Sequence, residues 1–316
     1  MIYILIIALL FAAELLYFRI ADKYNIIDKP NERSSHTQIT LRGGGIIFWI
    51  AAVLYTVFNP SSMSGWFLTG ITLMAAVSFW DDVKGLGQKV RLLFHLLAMT
   101  CAFYLANVFG MYPWWVIVVA YVVFIGIVNV YNFMDGINGI TGLYTLAVLL
   151  PMMWVNYYVQ PFVDHDFLRY SFLASIVFLF FNFRKRAKCF AGDVGSVSIA
   201  FWVVTLLLLL IIETRDLIWI GFLLVYGVDA VCTILHRIYL KQDIMEAHRL
   251  HFYQILANEW KVPHRVVSVI YFVVQLICSA LIIALYPLIG WWILIILSVI
   301  LILVYLLKFK MMTDKH

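Results

Sequence analysis

The chain has 316 residues, 65% of them hydrophobic, 17% aromatic and only 12% charged, with a formal net charge of +5. Soluble domains carry about 25% charged residues, so this composition excludes a soluble globular protein and makes lipid the solvent. Its mean hydropathy of +0.97 agrees, and apolar stretches from Ile2 to Leu307 leave no room for a separate soluble core. One integral membrane domain over residues 1–316 is predicted. No nucleic-acid partner is expected.

A bilayer core of about 30 Å takes roughly 17 to 25 mainly apolar residues per helix. In chain order, candidate runs fall near 2–20, 44–58, 64–80, 92–109, 113–131, 140–160, 171–183, 196–212, 216–232, 266–286 and 290–307. The fold class is therefore an all-α polytopic helix bundle of about eleven transmembrane helices, with ten as the alternative count. The first run, from Ile2 to Tyr17, lacks a basic leader and a small-residue cleavage site, so a retained helix is expected. Cys101, Cys189, Cys232 and Cys278 show no paired spacing, which argues against a zinc site or a disulfide framework.

Cytoplasmic loops collect Lys and Arg. With the odd-numbered connections and the C-terminus on that side, only Arg169 and Arg215 of the 22 basic residues fall opposite. The N-terminus is predicted outside and the C-terminus in the cytoplasm; the connection 132–139 has no basic residue and is placed by counting alone. The long polar loops, 21–43 and 233–265, share the cytoplasmic side, and chemistry is expected there.

Five polar clusters lie on that side. In the first loop, Arg33 and Arg42 offer bidentate phosphate contacts, and Gly43-Gly44-Gly45 lets backbone approach a ligand closely. A flexible loop with a Gly-rich helix start explains that cluster equally well. Asp81-Asp82 follows an apolar run, where carboxylates also serve as solvated caps. In the segment from Tyr131 to Gly142, Asn132, Asp135 and Asn138 alternate with glycines. Hard oxygen ligands or hydrogen bonds to a sugar or base would come from them. A Gly-rich turn accounts for Gly136 and Gly139 but not for an aspartate so near lipid. The fourth cluster sets the cations Arg184, Lys185, Arg186 and Lys188 before Asp193, which opens the next helix between two glycines. Its carboxylate suits Mg²⁺ bridging a diphosphate, whereas the basic run reads as a positive-inside anchor. In the fifth, His248 and His251 share a face if the loop is helical. With Arg249 beside them and no third zinc ligand, a phosphate site is more natural.

Taken together and in this order, the five segments resemble the polyprenyl-phosphate N-acetylhexosamine-1-phosphate transferase superfamily, glycosyltransferase family 4. The resemblance spans nearly the whole chain. It implies a bundle of ten or eleven spans in a bacterial inner membrane, a cytoplasmic active site, and Mg²⁺, with Mn²⁺ as the alternative. A UDP-N-acetylamino sugar donor and undecaprenyl phosphate as acceptor are implied as well, and members of the superfamily can form homodimers. The products would be undecaprenyl-diphospho-sugar and UMP, the initiating step of a cell-surface polysaccharide such as O-antigen. By residue, the resemblance makes Asp81 and Asp82 the acidic pair near the acceptor phosphate, with Asp82 a base. It makes Asp135 a catalytic aspartate, Asp193 the metal-binding aspartate and Phe190 a stacking partner for uracil. His248 and His251 match the histidine motif near the diphosphate, and Arg33, His36 and Arg42 match the first-loop signature.

Three departures stand out. Asn138 occupies a position where many members carry a second Asp, the segment after Asn182 is basic instead of a proline pair, and the histidine motif lacks adjacent histidines. The last is closer to a branch acting on N-acetylated 6-deoxy sugars. A transporter would instead show internal repeats and ionisable groups near the midplane, and a non-catalytic lipid-binding protein would bind a donor without consuming it.

Overall fold

The computed structural model describes residues 2–28, 39–243 and 249–313, and among these the protein is almost entirely helical. Arg33, His36 and His248 lie outside the described residues. In chain order the elements are α1 (Ile2–Lys23), β1 (Ile27–Asp28), β2 (Thr40–Leu41), α2 (Ile47–Phe58), α3 (Ser62–Lys84), α4 (Gln88–Leu105) and the short α5 (Val108–Met111). They continue with α6 (Trp114–Met134), α7 (Ile140–Tyr158), α8 (His165–Asn182), α9 (Gly192–Thr214), α10 (Leu224–Tyr239), the single turn α11 (Phe252–Gln254), α12 (His264–Ile289) and α13 (Trp292–Thr313).

Each of the eleven expected runs corresponds to a helix. Eight helices among the described residues are long and apolar enough to cross a membrane. Three runs fall short of that standard: Gly44–Phe58 is too short, and α4 and α8 mix apolar residues with polar ones, among them Lys89, Arg91 and His95 in α4 and His165, Asp166 and Arg169 in α8.

Helix α9 is the hub. Its sequence is apolar all round, without a polar stripe, and a helix of that kind must be enclosed. Every residue from Val194 to Leu208 is buried, packed among α2, α3, α6, α7 and α8. Helix α13, equally apolar, instead leaves Ile295, Ile296, Val299, Ile300 and Leu303 open, as a lipid-facing helix does. The four cysteines are free, as their spacing predicts.

One close approach brings the first loop onto α9. A Cβ on Gly45 would lie 2.2 Å from the Cα of Gly195, so backbone crosses backbone where only hydrogens stand between them. Around this crossing the Gly44 N–H donates to the Phe190 carbonyl (2.9 Å), the Gly45 N–H to Ala191 (3.1 Å) and the Phe190 N–H to Leu41 (2.8 Å). Arg42 and Asp193 are thereby held at one end of the bundle. At the other end, Tyr3 of α1 donates to Asp166 of α8 (2.7 Å), which also pairs with Arg169 at 3.1 Å. The two ends thus carry separate polar groups.

Candidate active site

The N-terminus of α9 is capped by a carboxylate from another helix. Asp82, in the last turn of α3, accepts the Asp193 N–H on Oδ1 and the Val194 N–H on Oδ2, both at 3.0 Å. Those amides have no partner inside α9, and the helix dipole adds positive potential there. The approach requires Gly192, which has φ +68° and whose Cβ would lie 2.7 Å from Asp82 Oδ2. Arg42 Nε completes the environment of Asp82 at 2.8 Å, and the Asp82 side chain is fully buried.

Asp193 points the other way. Its Oδ1 accepts from Asn132 Nδ2 (3.0 Å), which also donates to Ser196 Oγ (2.9 Å). Arg42 Nη2 stands 3.9 Å from Oδ1 and Arg91 Nη1 3.7 Å from Oδ2, and 22% of the Asp193 side chain remains exposed. Arg91 also pairs with Asp81 at 2.9 Å, and Asp81 Oδ1 receives the Leu86 N–H at 2.5 Å. Three carboxylates and two guanidinium groups, from the first loop, α3, α4 and α9, thus converge on one patch.

Asp135 lies just beyond the end of α6. Thr141 Oγ1 donates to its Oδ1 at 2.5 Å. Burial pushes its pKa up to about 7, the Thr141 hydrogen bond opposes that rise, and the charge on Asp193 adds to it. Asn138, Asn182 and Cys189 form a brace behind this loop. Asn138 Nδ2 donates to the Arg184 carbonyl (2.9 Å), the Gly139 N–H donates to Asn182 Oδ1 (2.6 Å), and Asn182 Nδ2 donates to the Cys189 carbonyl (2.9 Å). Asn138 is 7% exposed and Asn182 5%, so in this conformation their amides hold the loop to the segment before α9.

Residues 249–251 are not helical, and His251 precedes the single turn α11. The His251 ring is buried, with Nδ1 3.3 Å from Asp229 Oδ1. Its neighbour Tyr253 donates through its hydroxyl to the Phe133 carbonyl (3.0 Å), and a Cβ on Gly136 would come within 2.3 Å of that hydroxyl. Arg249 and Phe190 are half-buried.

Two participants escaped the sequence reading. Arg91 is one of the cations that the positive-inside bias explains, and its position beyond Asp81-Asp82, across Gly85 and Gly87, is the signal that sets it apart. Asp229 lies inside an apolar run, where a lone carboxylate is itself a signal.

Among the described residues no three His, Cys, Asp or Glu side chains form a ready-made metal cage. The donors present are nevertheless hard oxygens, of which Asp193 is partly open. That fits a cation such as Mg²⁺, which keeps one or two carboxylates and takes its other ligands from phosphate and water.

Residues 65–211 match the family model of glycosyl transferase family 4. The matched segment includes Asp81, Asp82, Arg91, Asn132, Asp135 and Asp193, while Arg42 and His251 lie outside it. No curated protein matches the chain.

Proposed function

We propose, from the match of residues 65–211 to glycosyl transferase family 4, that this multi-helix membrane protein moves an N-acetylamino-sugar 1-phosphate from a UDP-sugar to undecaprenyl phosphate. A phosphate oxygen of the lipid attacks the sugar-bearing phosphorus of the donor, the bond from that phosphorus to the UMP oxygen breaks, and undecaprenyl-diphospho-sugar and UMP result. The reading places this step at the cytoplasmic face of a bacterial inner membrane, as the start of a surface polysaccharide.

The observation that carries it is the meeting of Arg42, Arg91 and a partly exposed Asp193 at one end of the bundle. Both reactants are polyanions, so the chief tasks are to offset charge and to orient the attacking oxygen. Arg42 and Arg91 would bind phosphate oxygens, exchanging part of their contact with carboxylates for contact with substrate. Asp193 would hold Mg²⁺ or Mn²⁺, which when bound offsets charge on the transferring phosphoryl group. Asp82, engaged by two amides and an arginine, serves here by fixing Asp193 and Arg42. A phosphate monoester needs little help from a base, since its second pKa is near 6. Asp135, Asn132 and His251 would line the donor side, with Phe190 against the uracil.

The test is UMP release from purified protein in detergent with undecaprenyl phosphate, Mg²⁺ and a panel of UDP-N-acetylamino sugars. Release that requires both lipid and metal is expected. A folded, lipid-binding protein that releases UMP from none of these donors would overturn the reading.

A further inference from the structure

Next to His251 lies a second polar centre, built on a carboxylate and an ammonium that no step of this reaction uses directly. Asp229 of α10 is 3% exposed, and donors from three parts of the chain converge on its carboxylate. Tyr271 of α12 donates to Oδ2 at 2.6 Å, Thr233 of α10 to Oδ1 at 3.2 Å and the Phe252 N–H to Oδ1 at 2.9 Å. His251 Nδ1 faces Oδ1 at 3.3 Å. On the neighbouring α13, Lys308 is fully buried. Its ammonium donates to the Leu250 carbonyl and, at 2.6 Å, to the Tyr305 hydroxyl, which is 3.0 Å from Thr233 Oγ1.

Two buried charges of opposite sign therefore grip consecutive residues of one short segment, 250–252. Burying such groups is costly unless hydrogen bonds replace the lost water, and here each makes two or more. The gripped segment then reaches the Asp135 loop through Tyr253, whose hydroxyl donates to Phe133 and abuts Gly136. With Asp229 accepting at Nδ1, His251 is held as the Nδ1–H tautomer in one ring orientation.

We propose that Asp229 is a positioning residue, anchored by Tyr271 and seconded by Lys308, that sets the ring of His251 and docks segment 250–253 against the Asp135 loop. The catalytic part of this inference rests on the functional reading above; the anchoring part does not. Replacing a partner that orients a functional histidine costs about 10- to 100-fold in activity where the histidine touches the reacting groups.

The experiment compares wild type with Asp229→Asn by amide hydrogen exchange and by steady-state UMP release. Exchange at Phe252 and Tyr253 is expected to quicken about tenfold, the effect of losing roughly 1.4 kcal/mol of local protection, while α9 stays unchanged. Turnover is expected to fall at least tenfold with the donor KM nearly constant. In a His251→Ala background, Asp229→Asn should cost nothing more, because a residue acting through His251 has nothing left to act on. Unchanged exchange overturns the anchoring. Faster exchange with wild-type turnover, or losses that multiply in the double variant, overturns the positioning role. If wild type releases no UMP from any donor, the functional reading and the catalytic role fall together, and exchange alone still decides the anchoring. Should Asp229→Asn fail to fold, Tyr271→Phe keeps the carboxylate and the ring packing. It should give the same pattern at a few-fold scale, and wild-type exchange in that variant counts against the proposal.

Discussion

Asp193 opens the enclosed helix α9 and Asp229 lies on the buried face of the half-exposed α10, and their surroundings differ in kind. Asp193 keeps 22% of its side chain exposed and faces two arginines beyond hydrogen-bonding distance, at 3.7 and 3.9 Å. Asp229 keeps 4% and is surrounded by a histidine, a tyrosine, a threonine and backbone amides at closer range. Loose charge at an open patch can be exchanged for a ligand, because the arginines lose little by turning to phosphate. A carboxylate saturated by fixed donors cannot exchange without unfolding its neighbours. The first arrangement suits chemistry and the second suits support.

The largest expected effect tests the open member. Asp193→Asn keeps the volume and the Asn132 contact but removes the charge, and turnover should drop about 10²- to 10³-fold with thermal unfolding nearly unchanged. Residual activity within tenfold of wild type would erase the functional contrast. Chelating divalent cations with EDTA should stop turnover to the same extent, and Mg²⁺ should restore it in wild type but not in Asp193→Asn.

Arg91→Ala sharpens the same side of the comparison. If its guanidinium turns to substrate phosphate, KM should rise about tenfold, the scale of one charge-assisted contact. Arg91→Lys should recover only part of that, lacking the planar fork. A KM equal to wild type in both variants would make Arg91 a partner of Asp81 and nothing more.

Gly195→Ala probes how the open patch is built. The new Cβ would lie 2.5 Å from the Cα of Gly45, so backbone must part from backbone. The expected loss is about 1–3 kcal/mol, read as a lower unfolding midpoint. Unchanged stability would mean that the first loop is not clamped on α9 as described.

The smallest effect is a shift along the pH axis. Asp135 is raised to about 7 by burial, and the Thr141 hydrogen bond favours its charged form. Where the carboxylate is the working form, turnover climbs as pH rises through about 7 and levels above it. Thr141→Val removes the bond that favours ionisation, so the climb should move to higher pH, and Asp135→Asn should abolish it. For stability the sign is opposite. The protonated form is favoured in the fold, so the contribution is whole below the unfolded value and is lost as pH rises through about 7.

Much of the patch was legible because costly residues advertise themselves. Asp81, Asp82, Asp135 and Asp193 each border an apolar run, where an ionisable side chain demands a reason. Asp229 obeys the same rule but sits inside an apolar run with only Gly227 near it, so no motif draws the eye to it. Arg91 was hidden for another reason: the positive-inside bias supplies an adequate explanation for any cation on that side, so its pairing with Asp81 and Asp193 left no further trace. Asn138 and Asn182 read as ligand-binding amides or as unexplained, whereas folding engages them in a brace between two loops.

Composition and the spacing of apolar runs by themselves determined that this protein is a helical membrane bundle with its acidic motifs at helix ends. Lipid imposes span length and internal hydrogen bonding on any chain, whatever its neighbours. Which carboxylate caps a helix, which stays open and which anchors a histidine was decided only by tertiary structure. Those roles depend on donors far along the chain, 42 positions from Asp229 to Tyr271 and 111 from Asp82 to Asp193, and no local pattern encodes such a meeting.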